Sequence, residues 1–313
     1  MIRPNLALVV PCYNEEEALP ETARRLLALR ADLVASQLVA DNSAIWFVDD
    51  GSHDRTWALI EMLAAAGPYV HGIKLSRNRG HQNALLAGLF GATGDAVVTI
   101  DADLQDDPSA IGPMVTAFVQ GADIVYGVRR RRDADTVFKR LSARAYYRLL
   151  RWLGVDIVSD HADFRLLSRR AVDALAKYEE TNLFLRGIIP QMGLPSTQVP
   201  YDRAPRLAGT TKYPLRRMLA FAVQGITSFS AAPLRVITVF GLTVSVASFA
   251  GGLWALFQRL VHDTLVPGWA STLVPVFFLG GIQLLSLGVI GEYVARIYME
   301  SKRRPRYVVE RSV

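Results

Sequence analysis

Two long uncharged runs near the C-terminus constrain the fold of this chain most strongly. Val236 to Phe257 contains no charged residue over 22 positions, and Trp269 to Gly291 contains none over 23. An α-helix needs about 20 such residues to cross the hydrocarbon core of a bilayer. Because the runs are long, adjacent and flanked by charge, they favour two membrane-spanning helices over two buried core helices. We therefore predict a transmembrane hairpin within residues 234–297.

The charged residues around these runs predict the orientation of the hairpin. Basic residues precede the first run and follow the second, whereas the connector between them holds only Arg259 and Asp263. Lysine and arginine are enriched on the cytoplasmic side of membrane helices, so we expect both termini and the N-terminal domain in the cytoplasm. The apolar run Leu6–Val10 is too short for a secretory signal. The sequence therefore predicts a multi-pass protein of the plasma membrane.

The charge of the chain narrows the range of its partners. It carries 35 lysine and arginine residues against 29 aspartate and glutamate residues, which gives a net charge of +6. The basic residues gather in the membrane-proximal half, and this favours anionic lipid headgroups or a phosphate substrate over nucleic acid. The single cysteine, Cys12, excludes an internal disulfide, and we interpret it as a small buried residue rather than a nucleophile.

Short apolar runs alternate with helix-like segments through the first part of the chain. The predicted strands include "LALVV", "AIWFV", "VHGIKL", "AVVTI" and "ADIVYG". Strands separated by helices of this length favour βαβ units and a mostly parallel sheet with helices on both faces. Ligands of such sheets bind at the carboxyl ends of the strands. We predict an α/β domain over residues 1–212, a juxtamembrane amphipathic segment over 213–233, and a basic cytoplasmic tail over 298–313.

The stretch "TIDADLQDDP" ends one predicted strand in a cluster of acidic residues. Asp101 and Asp103 are spaced so that both carboxylates can face one hard cation, and Gln105 adds a neutral oxygen. Mg²⁺ and Mn²⁺ take about six oxygen ligands and are usually bound by one or two carboxylates together with substrate phosphates. The position after the fourth strand favours a Mg²⁺ or Mn²⁺ site that carries a diphosphate over a solvated acidic loop.

Polar residues also follow the first two predicted strands. Asp50 precedes Gly51, which allows a sharp turn, and a carboxylate there can accept hydrogen bonds from a base or a sugar. The alternative is an Asp-Gly turn that simply leads into the next helix. Pro11, Tyr13 and Glu15 are suited to stack on a nucleoside and to hydrogen-bond it, and they are equally typical of a helix start.

Six motifs occur along the chain in a recognisable order. They are "VVPCYNEEEAL", "FVDDGSHDRT", "LSRNRGHQNALLAGL", "TIDADLQDDP", "YGVRRRR" and "DFRLLSRR". Together they resemble family 2 glycosyltransferases of the GT-A fold, and the resemblance extends through "RLAGTTK" to the C-terminal hairpin. Within that family they resemble the transferases that move a sugar onto a polyprenyl phosphate. The resemblance implies a nucleotide sugar donor, with UDP favoured, an acceptor such as undecaprenyl phosphate, and a bacterial inner membrane.

The resemblance also implies a role for each residue that matches a family motif. Donor binding falls to Pro11, Tyr13, Glu15, Asp50, Asp101 and Ala102, and metal binding falls to Asp101, Asp103 and Gln105. Catalysis falls to Asp163, Arg129, Arg206 and Lys212, the last two on a mobile basic loop. The implied reaction is a single displacement that inverts the anomeric centre. A phosphate monoester has a second pKa near ~6, so the acceptor is largely ionised at neutral pH and needs little activation by a base. Asp163 is therefore either a base or a positioning residue.

A basic segment over Thr136–Leu153 is expected to lie at the membrane surface near the acceptor phosphate. Arg140, Arg144 and Arg148 recur at helical spacing among apolar side chains. A basic amphipathic helix of this kind is typical of proteins that lie on a membrane. The alternative is an ordinary solvated face.

Two other functions are compatible with the same features. A processive polysaccharide synthase is disfavoured because two spans are too few to build a polymer channel and the Gln-x-x-Arg-Trp signature is absent. A catalytically inactive, membrane-anchored lipid-binding scaffold is disfavoured because it would not need the charged residues of the motifs. They are Asp50, Asp101, Asp103, Arg129, Asp163 and Lys212. The tail residues Pro305–Val309 are expected to add an edge strand to a neighbouring subunit, which is consistent with a homo-oligomer.

Overall fold

The structure is a computed structural model that describes five segments of the chain. They are residues 3–129, 161–180, 185–202, 232–262 and 269–313. The described residues belong to two compact units. The first unit contains those up to residue 202 together with 304–313, and the second contains 232–262 and 269–303.

Among the described residues, the first unit is built on an eight-stranded sheet. Its strands are β1 (Leu6–Cys12), β2 (Ala44–Asp49), β3 (Val70–Leu75), β4 (Ala96–Thr99), β5 (Ile124–Arg129), β6 (His161–Ser168), β7 (Ser196–Tyr201) and β8 (Val309–Ser312). Its helices are α1 (Leu19–Ala35), α2 (Thr56–Ala66), α3 (His81–Gly91), α4 (Ile111–Val119), α5 (Arg169–Ala176) and α6 (Leu185–Gln191). A 3₁₀ turn over Pro108–Ala110 precedes α4. The second unit contains α7 (Ala232–His262) and α8 (Trp269–Ser301).

The strand order brings the polar motifs to one edge of the sheet. The order is β7-β5-β6-β4-β1-β2-β3-β8, and β4, β1, β2 and β3 are mutually parallel. β6 runs antiparallel between β4 and β5, and β7 is parallel to β5. The carboxyl ends of β1 to β5 and β7 therefore lie at the same edge as the amino end of β6. We call this the carboxyl edge. The predicted α/β architecture with a mostly parallel sheet is confirmed.

Helices pack on both faces of the sheet because neighbouring residues of a strand point to opposite sides. Leu8 of β1 belongs to a buried cluster that includes Leu26 of α1 and Met114 of α4. On the other face, Gly88 of α3 lies so close to Val9 that an added Cβ would stand 2.2 Å from a Val9 methyl carbon. Glycine at this position lets α3 approach the sheet closely, with its first residues at the carboxyl edge.

The C-terminal tail corrects one prediction. Residues Pro305–Val309 were expected to extend the sheet of a neighbouring subunit, but the tail strand β8 pairs antiparallel with β3 of its own chain. Gly72 and Val313 exchange backbone hydrogen bonds of 2.9 Å. Lys74 Nζ lies 3.1 Å from a carboxylate oxygen of Glu310. The physical reason is that β3 would otherwise present unpaired backbone groups at the edge of the sheet.

The second unit confirms that both uncharged runs are helical, as α7 and α8. Within the described part of the chain, one segment, Phe278–Ser301, is long and apolar enough to cross a membrane. The predicted hairpin of two membrane-spanning helices and the multi-pass topology are therefore not confirmed. Large apolar side chains are nevertheless exposed on both helices, for example Leu242 at 66% and Leu284 at 73%.

Candidate active site

A cavity of about 300 Å³ opens at the carboxyl edge of the sheet. Residues at or after the ends of four neighbouring parallel strands line it. They are Pro11 and Cys12 at the end of β1, Tyr13 and Glu15 after it, Asp50 after β2, Asn78, Gly80, His81 and Ala84 after β3, and Asp101, Ala102 and Asp103 after β4. Parallel neighbours end at the same edge, which explains why distant motifs meet here. All of the predicted donor-binding residues thus lie together.

Hydrogen bonds join the loop after β1 to the loop after β2. The N–H of Asn14 donates to Ser52 Oγ at 2.9 Å, and the N–H of Glu15 donates to Thr56 Oγ1 at 2.8 Å. Asn14 has a φ of 53°, a left-handed conformation that asparagine tolerates better than most residues. These contacts fix the backbone directly after Tyr13, whose side chain is 41% exposed at the cavity.

Asp50 connects the loop after β2 to the loop after β3. Its Oδ1 accepts the N–H of Arg79 at 2.7 Å, and its Oδ2 accepts the N–H of Gly80 at 2.8 Å. Burial raises the pKa of Asp50 in spite of these bonds. The two loops touch at Gly51, where φ is +68° and an added Cβ would lie 2.5 Å from the carbonyl carbon of Arg77. Glycine is therefore required at this contact.

The predicted metal ligands divide between the cavity and the interior. Asp101 and Asp103 line the cavity, whereas Gln105 is 4% exposed and does not line it. Desolvation raises the pKa of Asp101, and the charges of nearby carboxylates add to this against the opposing effect of His81, so that the pKa is about 6. A cation placed between Asp101 and Asp103 would relieve the repulsion among these carboxylates.

His81, the first residue of α3, links Asp101 to Asp163. Its Nε2 lies 3.5 Å from Asp101 Oδ1 and 3.5 Å from Asp163 Oδ2. Burial alone would lower the pKa of His81, but its hydrogen bond with Asp163 and the charge of Asp101 outweigh burial and raise that pKa. The two carboxylates therefore favour the charged form of the imidazole between them.

Asp163 is surrounded by positive groups. It lies near the start of β6, which reaches the carboxyl edge because β6 is antiparallel to β4. Arg165 Nη2 contacts Asp163 Oδ1, while Arg186 donates from Nε to Oδ1 at 3.3 Å and from Nη2 to Oδ2 at 3.0 Å. Burial would raise the pKa of Asp163, but His81, Arg165 and Arg186 together hold it well below its usual range. This carboxylate stays ionised at neutral pH.

The predicted catalytic residue Arg129 ends β5, and its partly exposed side chain contacts the buried residues Asp106 and Tyr201. Its Nη2 lies 3.3 Å from Asp106 Oδ1, and its Nε donates to the Tyr201 hydroxyl oxygen at 3.2 Å. The Tyr201 hydroxyl donates in turn to Asp106 Oδ1 at 2.5 Å. Asp106 is 2% exposed, and Arg129 is not among the residues that line the cavity. Arg129 therefore supports the acidic loop after β4 from one side.

Several predicted residues lie outside the described part of the chain. They are Arg140, Arg144 and Arg148 of the basic segment, Arg206 and Lys212 of the basic loop, and residues 213–231 of the predicted juxtamembrane segment. Their roles stay predictions.

The structure also adds residues that the motifs did not assign. Asn78 and Gly80 line the cavity, and their place directly after the third predicted strand is a signal that points to them. His81 and Arg165 lie within two of the quoted motifs, but the motifs assigned no role to either of them. Arg186 lies on α6 with no motif around it, so no spacing in the sequence identifies it.

Comparison with known proteins gives a family and close relatives. The model of glycosyl transferase family 2 matches residues 7–176. The uncharacterized glycosyltransferase YkoT of Bacillus subtilis is 50% identical over 98% of this chain and 92% of its own length. A bactoprenol glucosyl transferase of Shigella phage SfV is 41% identical over 97% of this chain and 98% of its own length.

Solved structures are more distant. Glucosyl-3-phosphoglycerate synthase of Mycobacterium tuberculosis, crystallised with Mn²⁺, UDP and phosphoglyceric acid, is 21% identical over 72% of this chain and 76% of its own. Its TM-score of 0.44 is too low to support a conclusion about this chain. The family match and the relatives decide the assignment, and they confirm the resemblance found in the motifs. This chain belongs to glycosyl transferase family 2 and is a glycosyltransferase.

Proposed function

We propose that the protein transfers a sugar from a nucleotide diphosphate sugar, with UDP as the favoured nucleotide, to a polyprenyl phosphate such as undecaprenyl phosphate. The observation that carries the proposal is the cavity at the carboxyl edge, which is lined by Tyr13, Asp50 and Asp101. The acceptor class is suggested by the phage SfV relative, which is named a bactoprenol glucosyl transferase and aligns over nearly the whole chain. Glucose is accordingly the first sugar to test.

The donor side of the cavity suits a nucleoside. Tyr13 offers a half-exposed ring on which a base can stack, and its loop is fixed by hydrogen bonds to Ser52 and Thr56. Asp50 is held in place by two backbone N–H groups and keeps lone pairs for a base or ribose. A volume of about 300 Å³ is at the lower end of the range for small-molecule sites.

The acidic side of the cavity suits a divalent cation. Among the described residues, no three histidine, cysteine, aspartate or glutamate side chains form a complete metal site. Mg²⁺ in particular is usually bound by one or two carboxylates plus substrate phosphates, and Asp101 and Asp103 supply two carboxylates. Burial, and then the charge of nearby carboxylates, raises the pKa of Asp101, and a bound cation would favour its ionised form. Mg²⁺ or Mn²⁺ bound there would neutralise charge that builds on the departing nucleotide diphosphate.

Membrane attachment fits a lipid acceptor. The segment Phe278–Ser301 is apolar enough to cross a bilayer, and large apolar side chains of α7 and α8 are exposed. We propose that these helices anchor the protein at the cytoplasmic face of the inner membrane. The basic segment with Arg140, Arg144 and Arg148 and the loop with Arg206 and Lys212 would then meet the acceptor headgroup.

The proposed chemistry is a single displacement. An oxygen of the lipid phosphate attacks the anomeric carbon, the bond to the nucleotide diphosphate breaks, and the configuration of that carbon inverts. The acceptor is largely ionised at neutral pH, since a phosphate monoester has a second pKa near ~6, so the reaction needs little help from a general base.

The test is nucleotide release by the purified full-length protein in detergent. It is offered UDP-glucose, other UDP-sugars or GDP-sugars, with or without undecaprenyl phosphate and with or without Mg²⁺ or Mn²⁺. We expect release that requires lipid, metal and one donor, together with a glycosylated lipid product. Release without lipid would point to hydrolysis or another acceptor. No release from any donor by a folded protein that binds no nucleotide would favour the scaffold function instead.

A further inference from the structure

Resting on the proposed function, we propose that Arg186 binds the phosphate of the lipid acceptor and that Asp163 is the positioning residue that holds Arg186 in place. Three features of the described residues lead to this assignment. They are the difference between the two arginines on Asp163, the place of Arg186 beside a cavity-lining residue, and the charge of the cavity wall.

The two arginines on Asp163 differ in accessibility. The side chain of Arg165 is 2% exposed, whereas that of Arg186 is 36% exposed. Arg165 therefore supports the carboxylate from the interior, and a ligand could reach only Arg186 of the two. Two hydrogen bonds to one carboxylate fix the plane of the Arg186 guanidinium, which is the arrangement that pre-organises such a group for a second oxyanion.

Arg186 is also adjacent to the cavity wall. Its Nη2 bonds Asp163 Oδ2, and the same oxygen lies 3.5 Å from Nε2 of His81, which lines the cavity. His81 in turn contacts Asp101 on the acidic side. Asp163 Oδ2 therefore connects the Arg186 guanidinium to His81, which borders the predicted metal ligands.

The charge of the cavity wall favours a fixed positive group near the acceptor. Four carboxylates line the cavity, those of Glu15, Asp50, Asp101 and Asp103. An incoming phosphate is repelled by them unless a fixed positive group lies close to its path. Asp163 itself is saturated by Arg165, Arg186 and His81. Its carboxylate is thus committed to other side chains, while an ionised acceptor has no proton to give it.

The experiment measures acceptor KM and nucleotide affinity in the full-length protein in detergent. The variants are Arg186→Ala, Arg186→Lys, Asp163→Asn and the double variant Asp163→Asn/Arg186→Ala. Arg170→Ala is the matched control, because Arg170 is a 70% exposed surface arginine paired with Asp123. KM for undecaprenyl phosphate is measured with saturating UDP-glucose and Mg²⁺, and UDP affinity is measured separately by calorimetry. The second measurement distinguishes acceptor phosphate from donor diphosphate.

We expect Arg186→Ala to raise the acceptor KM about tenfold or more while UDP affinity changes less than about twofold. Arg186→Lys keeps the positive charge but loses the planar guanidinium with its paired donors, so its acceptor KM should be intermediate. This variant replaces Arg186→Ala if the alanine variant does not fold. Asp163→Asn should raise the same KM and retain turnover. The double variant should match Arg186→Ala alone, because Asp163 acts through Arg186.

Three results would overturn the inference. The first is an unchanged acceptor KM in both Arg186 variants, and the second is a loss of UDP affinity in place of acceptor affinity. The third is an Asp163→Asn variant that binds acceptor normally but does not turn over, which would make Asp163 the base. In all three cases the wild type is active. A wild type that binds UDP but glycosylates no polyprenyl phosphate would instead overturn the proposed function, and this inference with it.

Discussion

Asp101 and Asp163 lie at the same edge of the sheet and share one neighbour, yet their surroundings are opposite. Nε2 of His81 is 3.5 Å from an oxygen of each. Desolvation and neighbouring carboxylates raise the pKa of Asp101 to about 6. The pKa of Asp163 is held well below its usual range, because His81, Arg165 and Arg186 outweigh its burial. The positive groups around each carboxylate, more than its position on the sheet, therefore determine what it can do.

From this comparison we propose different tasks for the two carboxylates. Asp101 lacks sufficient positive charge within the protein, so it is suited to a cation that arrives with the substrate. Asp163 is neutralised by its own neighbours, so it is suited to hold side chains in position. Each of the following predictions changes one side of this comparison.

The largest effect is expected from Asp103→Asn on the acidic side. An amide oxygen is a weaker ligand for a hard cation than a carboxylate, so turnover should fall about a hundredfold or more. The measurement is lipid-dependent UDP release with Mg²⁺. The matched control is Asp107→Asn in the same loop, since Asp107 caps the N–H of Ser109 and does not line the cavity. An equal loss of turnover in the two variants would contradict a ligand role for Asp103, because it would show that both substitutions act by disturbing the loop.

A smaller effect is expected from Tyr13→Ala at the nucleoside end of the cavity. Loss of a stacking ring should raise the KM for the nucleotide sugar about tenfold. The acceptor KM should not change, because we propose that Tyr13 binds the donor nucleoside rather than the acceptor phosphate. Steady-state kinetics with each substrate varied in turn test this, and Tyr13→Phe serves as the control that keeps the ring. A rise in acceptor KM would contradict the separation of the two sides.

The smallest effect is expected from pH. Cation binding requires an ionised Asp101, whose pKa is about 6 in the cation-free protein. Mn²⁺ affinity should therefore fall about fourfold between about pH 7 and about pH 5.5, because a proton must leave first. Asp163 adds nothing over this window, since its lowered pKa keeps it ionised. Calorimetry with UDP-glucose measures this affinity. The dependence should be smaller in Asp101→Asn, where the protonation of neighbouring His81, whose pKa is raised, still contributes. A pH dependence of Mn²⁺ affinity as large as in the wild type would show that the proton leaves a group other than Asp101.

The acidic side of the comparison could be predicted from the sequence, for a local reason. Asp50, Asp101 and Asp103 each lie shortly after the end of an apolar run, and parallel strands bring such positions together whatever lies between them. The buried position of the Gln105 side chain could not be predicted in the same way, because it depends on how the loop packs. Periodicity predicts the strands and helices, but not the packing of a loop.

The Asp163 side could not be predicted from local patterns. Arg186 reaches Asp163 through α6, and the position of Asp163 depends on the insertion of β6 between β4 and β5. Pairings of this kind are long-range and leave no spacing in the sequence. The tail strand β8 is a similar case, since the Lys74–Glu310 pair that secures it joins residues 236 positions apart. The motifs drew attention to Asp163 itself, but not to the cations around it.

The most direct test of the difference between the two carboxylates is Mn²⁺ affinity in Asp101→Asn and Asp163→Asn, measured side by side by calorimetry with UDP-glucose and no acceptor. We expect Asp101→Asn to weaken Mn²⁺ binding about tenfold or more, and Asp163→Asn to change it less than about twofold. Thermal unfolding of both variants serves as the control for folding. Equal loss of Mn²⁺ in two folded variants would contradict the assignment, because it would make Asp163 part of the cation site.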